Sequence, residues 1–275
     1  MKKLEGKVAI VSGSGRGIGR AIAMKLASEG AKVVVNDLDA GPAQETVGAI
    51  KAAGGQALAC AGSVTADGFA DEFVKAAVEG FGGLDIIVNN AGYTWDNVVQ
   101  KMTDEQWSAI LDVHLTAPFR ILRAAADFIR HQSKLDSEAG REVFRKVVNI
   151  SSIAGTGGNA GQANYSAGKA GIIGLTKALS KEWGRYKVNV NAVAFGLIKT
   201  RLTEATAGGN ASIDVGGRQI KVGVNPDLMA MMERSIPIGR AGTPEEAAGS
   251  VYLLCTPESD YISGQVLICG GGVSI

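Results

Sequence analysis

Seven short apolar runs recur along the chain, and each is rich in β-branched side chains. The runs are KVAIVS, AKVVVN, QALAC, LDIIVNN, KVVNIS, VNVNAVA and QVLIC, and segments with helical periodicity separate them around residues 17–29, 42–53, 67–80, 104–131, 163–185 and 244–255. Nearly continuous apolar strands indicate a sheet that is covered on both faces, and strands that alternate with helices indicate parallel pairing. The pattern therefore predicts a doubly wound α/β fold with a seven-stranded parallel sheet.

The length of the chain favours one domain. With 275 residues, 46% of them hydrophobic, the chain can bury one substantial core. Folds of the α/β class often stay undivided at this length. We therefore expect a single domain over residues 1–275.

Charge and cysteine content argue against several classes of protein. The chain has 28 basic and 27 acidic residues and no long basic run, so nucleic acid is not an expected partner. Cys60, Cys255 and Cys269 form neither a CxxC pair nor a cluster with the two histidines, His114 and His131. We therefore expect reduced thiols and no metal site.

The apolar stretch near the start of the sequence is short. VAIV directly precedes Ser12 and the glycine-rich turn, and it is shorter than the apolar region of a signal peptide. No stretch approaches the ~20 apolar residues that a membrane span needs. These observations predict a soluble, cytoplasmic protein without a membrane partner.

A glycine-rich turn follows the first predicted strand. VAIVS leads into Gly13-Ser14-Gly15-Arg16-Gly17-Ile18-Gly19 and then into the helical RAIAMKLASEG. Such a turn presents backbone N–H groups and a helix N-terminus to a pyrophosphate, and a Cβ would block the close approach. A purely structural loop is the alternative, but the position between a strand and a helix favours a Rossmann-type dinucleotide site.

Asp37 ends the second strand, 18 residues after Gly19. An acidic group near this offset accepts hydrogen bonds from the adenosine ribose and repels the phosphate that distinguishes NADP. We therefore predict that the cofactor is NAD. Two alternatives stay open, because Asp37 could only cap a loop and Arg16 could bind a phosphate.

Tyr165 and Lys169 lie four residues apart in GQANYSAGKAGIIGLTKAL, so both project from one face of a predicted helix. Ser152 lies thirteen residues before Tyr165, just after the strand VVNIS. A tyrosine with a pKa near ~10 becomes an effective acid–base catalyst when a cation within ~4–6 Å stabilises the phenolate. Lys169 can supply that charge. Alternatively, Tyr165 is a packed aromatic, Lys169 is a solvated lysine and Ser152 caps a loop.

Together these motifs resemble the short-chain dehydrogenase/reductases. The resemblance rests on SGSGRGIG, Asp37, NNAG at 89–92, Ser152 and Tyr165-x-x-x-Lys169, and it covers essentially the whole chain. DIIVNNAG, GNAGQANYSAGKAG, PIGRAGTPEE and YISGQVLICGGG are most similar to the β-ketoacyl-(acyl-carrier-protein) reductases. VVVNDL and VHL resemble a hydroxyacyl-CoA dehydrogenase branch.

The resemblance implies roles for these residues. Tyr165 would exchange a proton with the substrate oxygen, Ser152 would hydrogen-bond the same oxygen, and hydride would pass to or from the nicotinamide C4. Lys169 would lower the tyrosine pKa and bind the nicotinamide ribose. The implied cofactor-binding residues are Gly13, Arg16, Gly17, Ile18, Gly19, Asp37, Ser63, Val64, Asn90, Ala91, Gly92, Tyr165, Lys169, Gly196, Ile198 and Thr200.

Three positions depart from the family pattern. His114 stands where the family usually has an asparagine that holds a water next to the lysine, so it is either a catalytic residue or a packed core histidine. Phe195 replaces a proline before Gly196, and Ser63 replaces an aspartate that commonly faces the adenine.

Two segments look like insertions in the α/β plan. Residues 131–146 are charged and are predicted to form an exposed extension between a helix and a strand. Residues 201–236 combine a possible hairpin around Gly216-Gly217 with an amphipathic, Met-rich helix, and we interpret them as a mobile substrate lid.

The sequence thus predicts an NAD(H)-dependent oxidoreductase that interconverts a secondary alcohol and a ketone. A 3-oxoacyl or 3-hydroxyacyl thioester of fatty acid metabolism is the favoured substrate, and an alcohol or steroid-type dehydrogenase is the alternative. A non-catalytic NAD(H)-binding sensor or assembly module is an alternative of another class. The resemblance also implies a homotetramer in which the helices around 104–131 and 163–185 pair across subunits.

Overall fold

Seven parallel strands form the central sheet of the computed structural model, which describes residues 2–200, 212–215, 217–221 and 226–273. The strands are β1 (Val8–Val11), β2 (Lys32–Asp37), β3 (Gln56–Ala61), β4 (Ile86–Asn89), β5 (Arg145–Ser152), β6 (Val188–Phe195) and β9 (Val266–Cys269). Their order is β3-β2-β1-β4-β5-β6-β9. The predicted Rossmann-type α/β domain, with all seven strands in the expected places, is confirmed.

Helices cover both faces of this sheet. They are α1 (Gly17–Ser28), α2 (Ala40–Ala52), α3 (Phe69–Phe81), α4 (Asp104–Leu111), α5 (Ala117–Glu138), α6 (Ile153–Gly157), α7 (Ala163–Trp183), α8 (Pro226–Ser235) and α9 (Pro244–Leu253). Residues of α1, α2 and α9 share one buried apolar cluster, and residues of α3, α5 and α7 share a second. The fold therefore has two cores with the sheet between them.

The strand β1 shows why the apolar runs are continuous. Ala9 and Val11 belong to the first core, whereas Val8 and Ile10 belong to the second. Because successive side chains of a strand point to opposite faces, each position must be apolar when both faces are covered. The absence of polar alternation in VAIV of β1 is thus a direct consequence of the two helical layers.

The strand order reverses beside β1, which pairs with both β2 and β4. In open parallel sheets the ligand crevice lies at such a point, outside the carboxyl ends of the strands. Val11, Val35 and Val88 are in register there. The glycine-rich turn after β1 and the segment after β4 therefore emerge side by side.

The predicted extension at 131–146 is smaller than expected. Helix α5 continues to Glu138, and β5 already begins at Arg145. Asp136 is buried and accepts hydrogen bonds from the guanidinium groups of Arg145 at 2.7 Å and Arg141 at 2.8 Å. This ion pair ties the helix end to the strand, but most residues between His131 and Glu142 are exposed, as predicted, and the first half of the segment is the end of α5.

Part of the predicted lid forms regular structure. β7 (Ser212–Val215) and β8 (Arg218–Lys221) pair antiparallel, as expected for a hairpin around Gly217, and α8 supplies the expected helix. Residues 201–211, 216 and 222–225 of the lid prediction lie outside the described residues. That the segment moves over a substrate stays a prediction. Among the described helices, none has the length and apolar character that a bilayer crossing requires.

Candidate active site

The glycine-rich turn is shaped by close backbone contacts. Gly13 has a φ of 61°, and a Cβ there would lie 2.7 Å from the Ala91 Cα. A Cβ on Gly19 would collide with the Gly13 carbonyl oxygen. Gly17 has a φ of 53°, and a Cβ there would meet only Thr200, 3.9 Å away. The turn therefore leaves room over Gly17 at the start of α1, where a pyrophosphate would find free N–H groups.

The side chains of Asn90, which was named in the sequence analysis, and of Asn36, which was not, hold this turn. The Asn90 amide donates to the Ser12 and Gly13 carbonyls at 2.9 and 3.0 Å. The Asn36 amide accepts from Gly13 N–H and donates to Gly62 O, at 3.1 and 3.0 Å. These bonds join the ends of β1, β2, β3 and β4. They fix the cradle that a dinucleotide would need, so the residues present fit such a cofactor.

Asp37 lies against the turn. A Cβ on Gly15 would sit 2.5 Å from an Asp37 carboxylate oxygen, which places the carboxylate directly beside the turn. Arg16 is the residue that could instead bind the 2′-phosphate of NADP. Its guanidinium lies 3.4 Å from the exposed carboxylate of Asp39. The cation that could bind a 2′-phosphate therefore has an acidic neighbour.

The nicotinamide-side residues follow β6. Phe195 is buried as the last residue of that strand, in register with Ser152 and Cys269. Gly196 packs so closely on Gly270 that a Cβ would lie 2.8 Å from the Gly270 Cα. The strand thus ends in a tight turn with phenylalanine in place of proline. Ile198 is buried and pairs with Gly242, which positions the start of the segment toward Thr200.

Ser152 and Tyr165 meet at the end of β5. The Ser152 hydroxyl accepts the Ala154 N–H at 3.1 Å and, as a polar neighbour, lowers the pKa of the Tyr165 phenol. Ser151, its neighbour, points the other way and donates to the Lys169 carbonyl at 2.8 Å. The structure therefore distinguishes the two serines: Ser152 faces the tyrosine and Ser151 anchors α7.

Lys169 lies one helical turn after Tyr165 and is only 4% exposed. Its ammonium nitrogen donates to the Ile150 carbonyl at 2.7 Å and lies 5.6 Å from the centre of the Tyr165 ring. A Cβ on Gly155 would lie 2.6 Å from the Lys169 carbonyl carbon, so α6 packs closely on α7 at this point. The lysine is therefore placed beside the tyrosine, as its spacing in the sequence predicted.

Burial dominates the titration of both residues. It raises the pKa of Tyr165 to about 12, against the lowering effect of the Ser152 hydrogen bond, and the charge of Asp96 raises it further. Burial also lowers the pKa of Lys169 to about 7. The sequence led us to expect a lowered tyrosine pKa, but the desolvation of both groups outweighs their mutual stabilisation.

His114 lies in a π-helical segment, Asp112–Thr116, between α4 and α5. This break in the predicted helix is the kind of bulge that often marks a functional site. The His114 ring is perpendicular to the Tyr165 ring at 5.0 Å between centroids, and Nε2 lies 2.7 Å from the Tyr93 carbonyl. Nδ1 is buried without a hydrogen-bond partner among the described residues.

The environment of His114 fixes a neutral imidazole. Burial lowers its pKa well below 6.5, and the charge of Lys169 lowers it further. Because a neutral ring must donate to the Tyr93 carbonyl, the proton resides on Nε2. The ring thus packs against Tyr165 without carrying a charge.

We expect His114→Asn to keep kcat within about tenfold, because an asparagine amide can still donate to a carbonyl and the π-helical backbone can persist. The variant should also lose less stability below pH ~6.5, since the unfolded chain protonates a histidine that the folded state keeps neutral. Steady-state kinetics and denaturation at pH ~5.5 and ~7.5, on either side of the histidine pKa, check both results. His131→Asn is the control, and a loss of activity of several orders of magnitude in His114→Asn would assign the imidazole a direct catalytic role.

Two loops that flank Tyr165 are joined by residues that the sequence analysis missed. The Gln162 amide donates to the Asp96 carboxylate at 2.7 Å, and Asn97 N–H donates to the Gly161 carbonyl at 2.9 Å. The buried Asn164 amide donates to the carbonyls of Trp95 and Gln106. The polar residues Gln162 and Asn164, just before YSAGK at the start of α7, were the sequence signal that could have predicted these contacts.

Comparisons with known proteins match this architecture. The sequence profile of the short chain dehydrogenase family matches residues 7–210. The chain is 39% identical over 271 residues to the 3-oxoacyl-(acyl-carrier-protein) reductase FabG of Vibrio cholerae, and the match covers 98% of each chain. It is 41% identical over 273 residues to the hydroxyacyl-CoA dehydrogenase ChsB1 of Mycobacterium tuberculosis, covering 98% of this chain and 78% of that one.

A solved structure agrees with these relatives. A double mutant of a Serratia marcescens short-chain dehydrogenase/reductase superposes with a TM-score of 0.82 and 31% identity, over 99% of this chain and 100% of that chain. The chain belongs to the short-chain dehydrogenase/reductase family. It is therefore an oxidoreductase that uses a nicotinamide cofactor, and the alternative of a non-catalytic binding module is not favoured.

Proposed function

We propose that the protein interconverts 3-oxoacyl and 3-hydroxyacyl thioesters with NAD(H), using Tyr165, Lys169 and Ser152. The observation that carries the proposal is the position of Tyr165, whose ring centre lies 5.6 Å from the buried Lys169 side-chain nitrogen and whose phenol has Ser152 as a polar neighbour. These groups lie at the carboxyl edge of the sheet, where the glycine-rich turn also emerges.

Each residue has one task in this mechanism. A bound nicotinamide supplies or accepts the hydride at its C4. Tyr165 holds the proton that the substrate oxygen gains in reduction, and the Ser152 hydroxyl binds the same oxygen and fixes its position. In its protonated form, which a pKa of about 7 makes available near neutral pH, Lys169 offsets negative charge as it develops on the phenolate, because an ammonium in a dry site acts strongly at short range.

The raised tyrosine pKa gives the two directions different pH requirements. With a pKa of about 12, Tyr165 is protonated at neutral pH and is ready to donate to a ketone oxygen. Oxidation needs the deprotonated phenol and therefore benefits from higher pH. The enzyme can work in either direction, according to the supply of oxidised and reduced cofactor.

NAD preference is the second part of the proposal. The Asp37 carboxylate beside Gly15 would accept hydrogen bonds from a ribose and repel a 2′-phosphate, while Asp39 lies next to Arg16, the nearby cation. The names of the reductase relatives do not state which nicotinamide cofactor they use. The proposed NAD preference of this protein therefore depends on Asp37. The other implied cofactor-binding residues, from Gly13 through Thr200, keep the roles stated above.

Asp37→Asn is expected to lower the ratio of kcat/KM for NAD to kcat/KM for NADP by about tenfold, because it removes the repulsion of the phosphate. Asp39→Asn is the matched control: it frees Arg16 but keeps Asp37, so the ratio should change less. Initial rates with each cofactor at a fixed substrate concentration measure both. A wild-type enzyme that prefers NADP, or an Asp37→Asn variant with an unchanged ratio, would contradict this assignment.

The proposed substrate class rests on the relatives. The names of FabG and ChsB1 point to 3-oxoacyl and hydroxyacyl groups on a thioester carrier. The test compares kcat/KM for acetoacetyl-CoA and longer 3-oxoacyl-CoA thioesters with that for the corresponding acyl-carrier-protein substrates, for simple ketones and for keto-steroids. Thioesters should exceed the others, and a preference for simple ketones or steroids would move the assignment to an alcohol or steroid-type dehydrogenase.

Assembly into a homotetramer in the cytoplasm completes the proposal. Trp107 of α4 and Phe119 of α5 expose large apolar surfaces, and so do Leu267 and Ile268 on the edge strand β9. Apolar surface of this kind on a helix pair and on a sheet edge suits contacts between identical subunits.

A further inference from the structure

The loop after β3 is fixed from its inner side. The Asn36 amide donates to the Cys60 and Gly62 carbonyls, both at 3.0 Å. Within the loop, the hydroxyls of Ser63 and Thr65 share a hydrogen bond of 2.8 Å. Val64 between them is buried in the second core. This loop, residues 61–68, is the one that would border the adenine of a bound dinucleotide.

A single side chain from α5 holds the outer side of the same loop. The Arg120 guanidinium donates to the Thr65 carbonyl at 3.1 Å and lies 3.7 Å from the Asp67 carboxylate. Asp67 is fully exposed, so its charge contributes little through water, and the bond to the Thr65 carbonyl is the main tie. Arg120 is partly buried, with 35% of its side chain exposed, which strengthens that bond.

Arg120 also lies on the helix that directly follows the π-helical segment beside Tyr165. Helix α5 begins at Ala117, immediately after the π-helical segment that places His114 against Tyr165. Arg120 therefore links the start of this helix to the loop that would face the adenine. The next arginine on the helix, Arg123, lies over the Phe119 ring at 5.2 Å instead.

We propose that Arg120 is a positioning residue for the adenine end of the dinucleotide. By holding the Thr65 carbonyl to α5, it keeps Ser63 and Val64 in the orientation that receives the base. It acts on the cofactor through the loop and leaves the proton-transfer groups untouched. The inference rests on the proposed function, because it needs a dinucleotide at this edge of the sheet.

The length and charge of arginine suit this task. The loop is irregular, so the Thr65 carbonyl needs a donor from outside it, and the guanidinium reaches the carbonyl from the helix surface. Methionine would retain much of the side-chain length without any donor. Lysine would retain the charge and one donor group, and should restore part of the effect.

The test compares Arg120→Met and Arg120→Lys with the matched control Arg123→Met. Fluorescence titration with NADH, calorimetric titrations with ADP-ribose and with nicotinamide mononucleotide, steady-state kinetics and melting temperatures are measured for each. We expect Arg120→Met to weaken NADH and ADP-ribose binding by about five- to tenfold and to raise the cofactor KM similarly, with kcat at saturating cofactor within about twofold. Nicotinamide mononucleotide binding should not change, Arg120→Lys should show an intermediate loss, and Arg123→Met should match the wild type.

Either of two results would overturn the inference. One is an unchanged NADH affinity in Arg120→Met, including the case in which only the melting temperature falls. The other is an equal loss of nicotinamide mononucleotide binding or a large fall in kcat, which would indicate general disruption of the site. Failure of the proposed function itself is distinct, because the wild type would then bind no dinucleotide or Tyr165→Phe would remain active.

Discussion

Tyr165→Phe is expected to lower kcat by about 10²–10⁴-fold, with dinucleotide affinity nearly unchanged. The phenol is the group that the proposal assigns to proton transfer, and it is half-buried beside Ser152 and Lys169. Phenylalanine keeps the ring that packs perpendicular to His114, so the fold should persist. Stopped-flow or steady-state assays of nicotinamide absorbance measure the loss.

The fully exposed Tyr261 provides the control for this substitution. Tyr261→Phe should retain the wild-type kcat and its pH profile. The wild-type rate of oxidation should rise toward alkaline pH, because the pKa of Tyr165 lies at about 12 and oxidation needs the deprotonated phenol. A Tyr165→Phe enzyme whose kcat stays within about tenfold of the wild type would rule out the phenol as the acid–base group.

Lys169→Met is expected to abolish activity and yet to stabilise the folded protein by about 2 kcal/mol at pH ~7. Burial lowers the lysine pKa from 10.5 to about 7 in the folded state, a cost of about 4–5 kcal/mol, and loss of the bond to the Ile150 carbonyl offsets part of the gain. The substitution would thus show that keeping Lys169 in the active site lowers the free energy of unfolding.

The stability that Lys169→Met gains over the wild type should decrease as pH rises. Between pH ~7 and ~10.5 the unfolded lysine binds a proton that the folded one does not, so the wild type gains stability as pH rises. The difference between Lys169→Met and wild type should therefore be largest at pH ~7 and shrink toward pH ~10. Urea denaturation at both pH values measures it.

Lys146→Met is the contrasting control. Lys146 is buried as well, but it bonds the Asp260 carboxylate at 2.6 Å and the Asn189 side chain at 2.8 Å. Removing it leaves partners unsatisfied, so this variant should be less stable than the wild type. A Lys169→Met protein that is destabilised to the same degree would show that Lys169 is not held at an energetic cost.

The seven strands were predictable from the sequence because both faces of the sheet are buried. A run such as VVV at 33–35 is apolar at every position because alternate side chains enter two different cores, so the strand pattern is clear without any structure. The glycine-rich turn was equally readable. Close backbone contacts, such as that between Gly19 and the Gly13 carbonyl, require glycine at these positions. The glycines therefore mark the turn in the sequence itself.

The remaining features depend on contacts between segments that are far apart in the sequence. The helical pattern over 104–131 is continuous, and the π-helical segment at His114 breaks it only in three dimensions. Asn36 looks like an ordinary strand-end residue until it is seen to bridge the strands around the turn. The sequence predicted a lowered pKa for Tyr165, whereas burial raises it. The prediction considered the nearby charge of Lys169 but not the loss of solvent around the phenol.

The assay that tests the central claim most directly is reduction of acetoacetyl-CoA by the purified protein, followed by nicotinamide absorbance with NADH and NADPH offered separately. Wild type and Tyr165→Phe are compared at the same cofactor saturation. Faster turnover with NADH, lost in the variant, is the result expected for a Tyr165-dependent thioester oxidoreductase that selects its cofactor through Asp37. Dinucleotide binding without turnover of the thioester, or turnover that persists in Tyr165→Phe, would contradict that account.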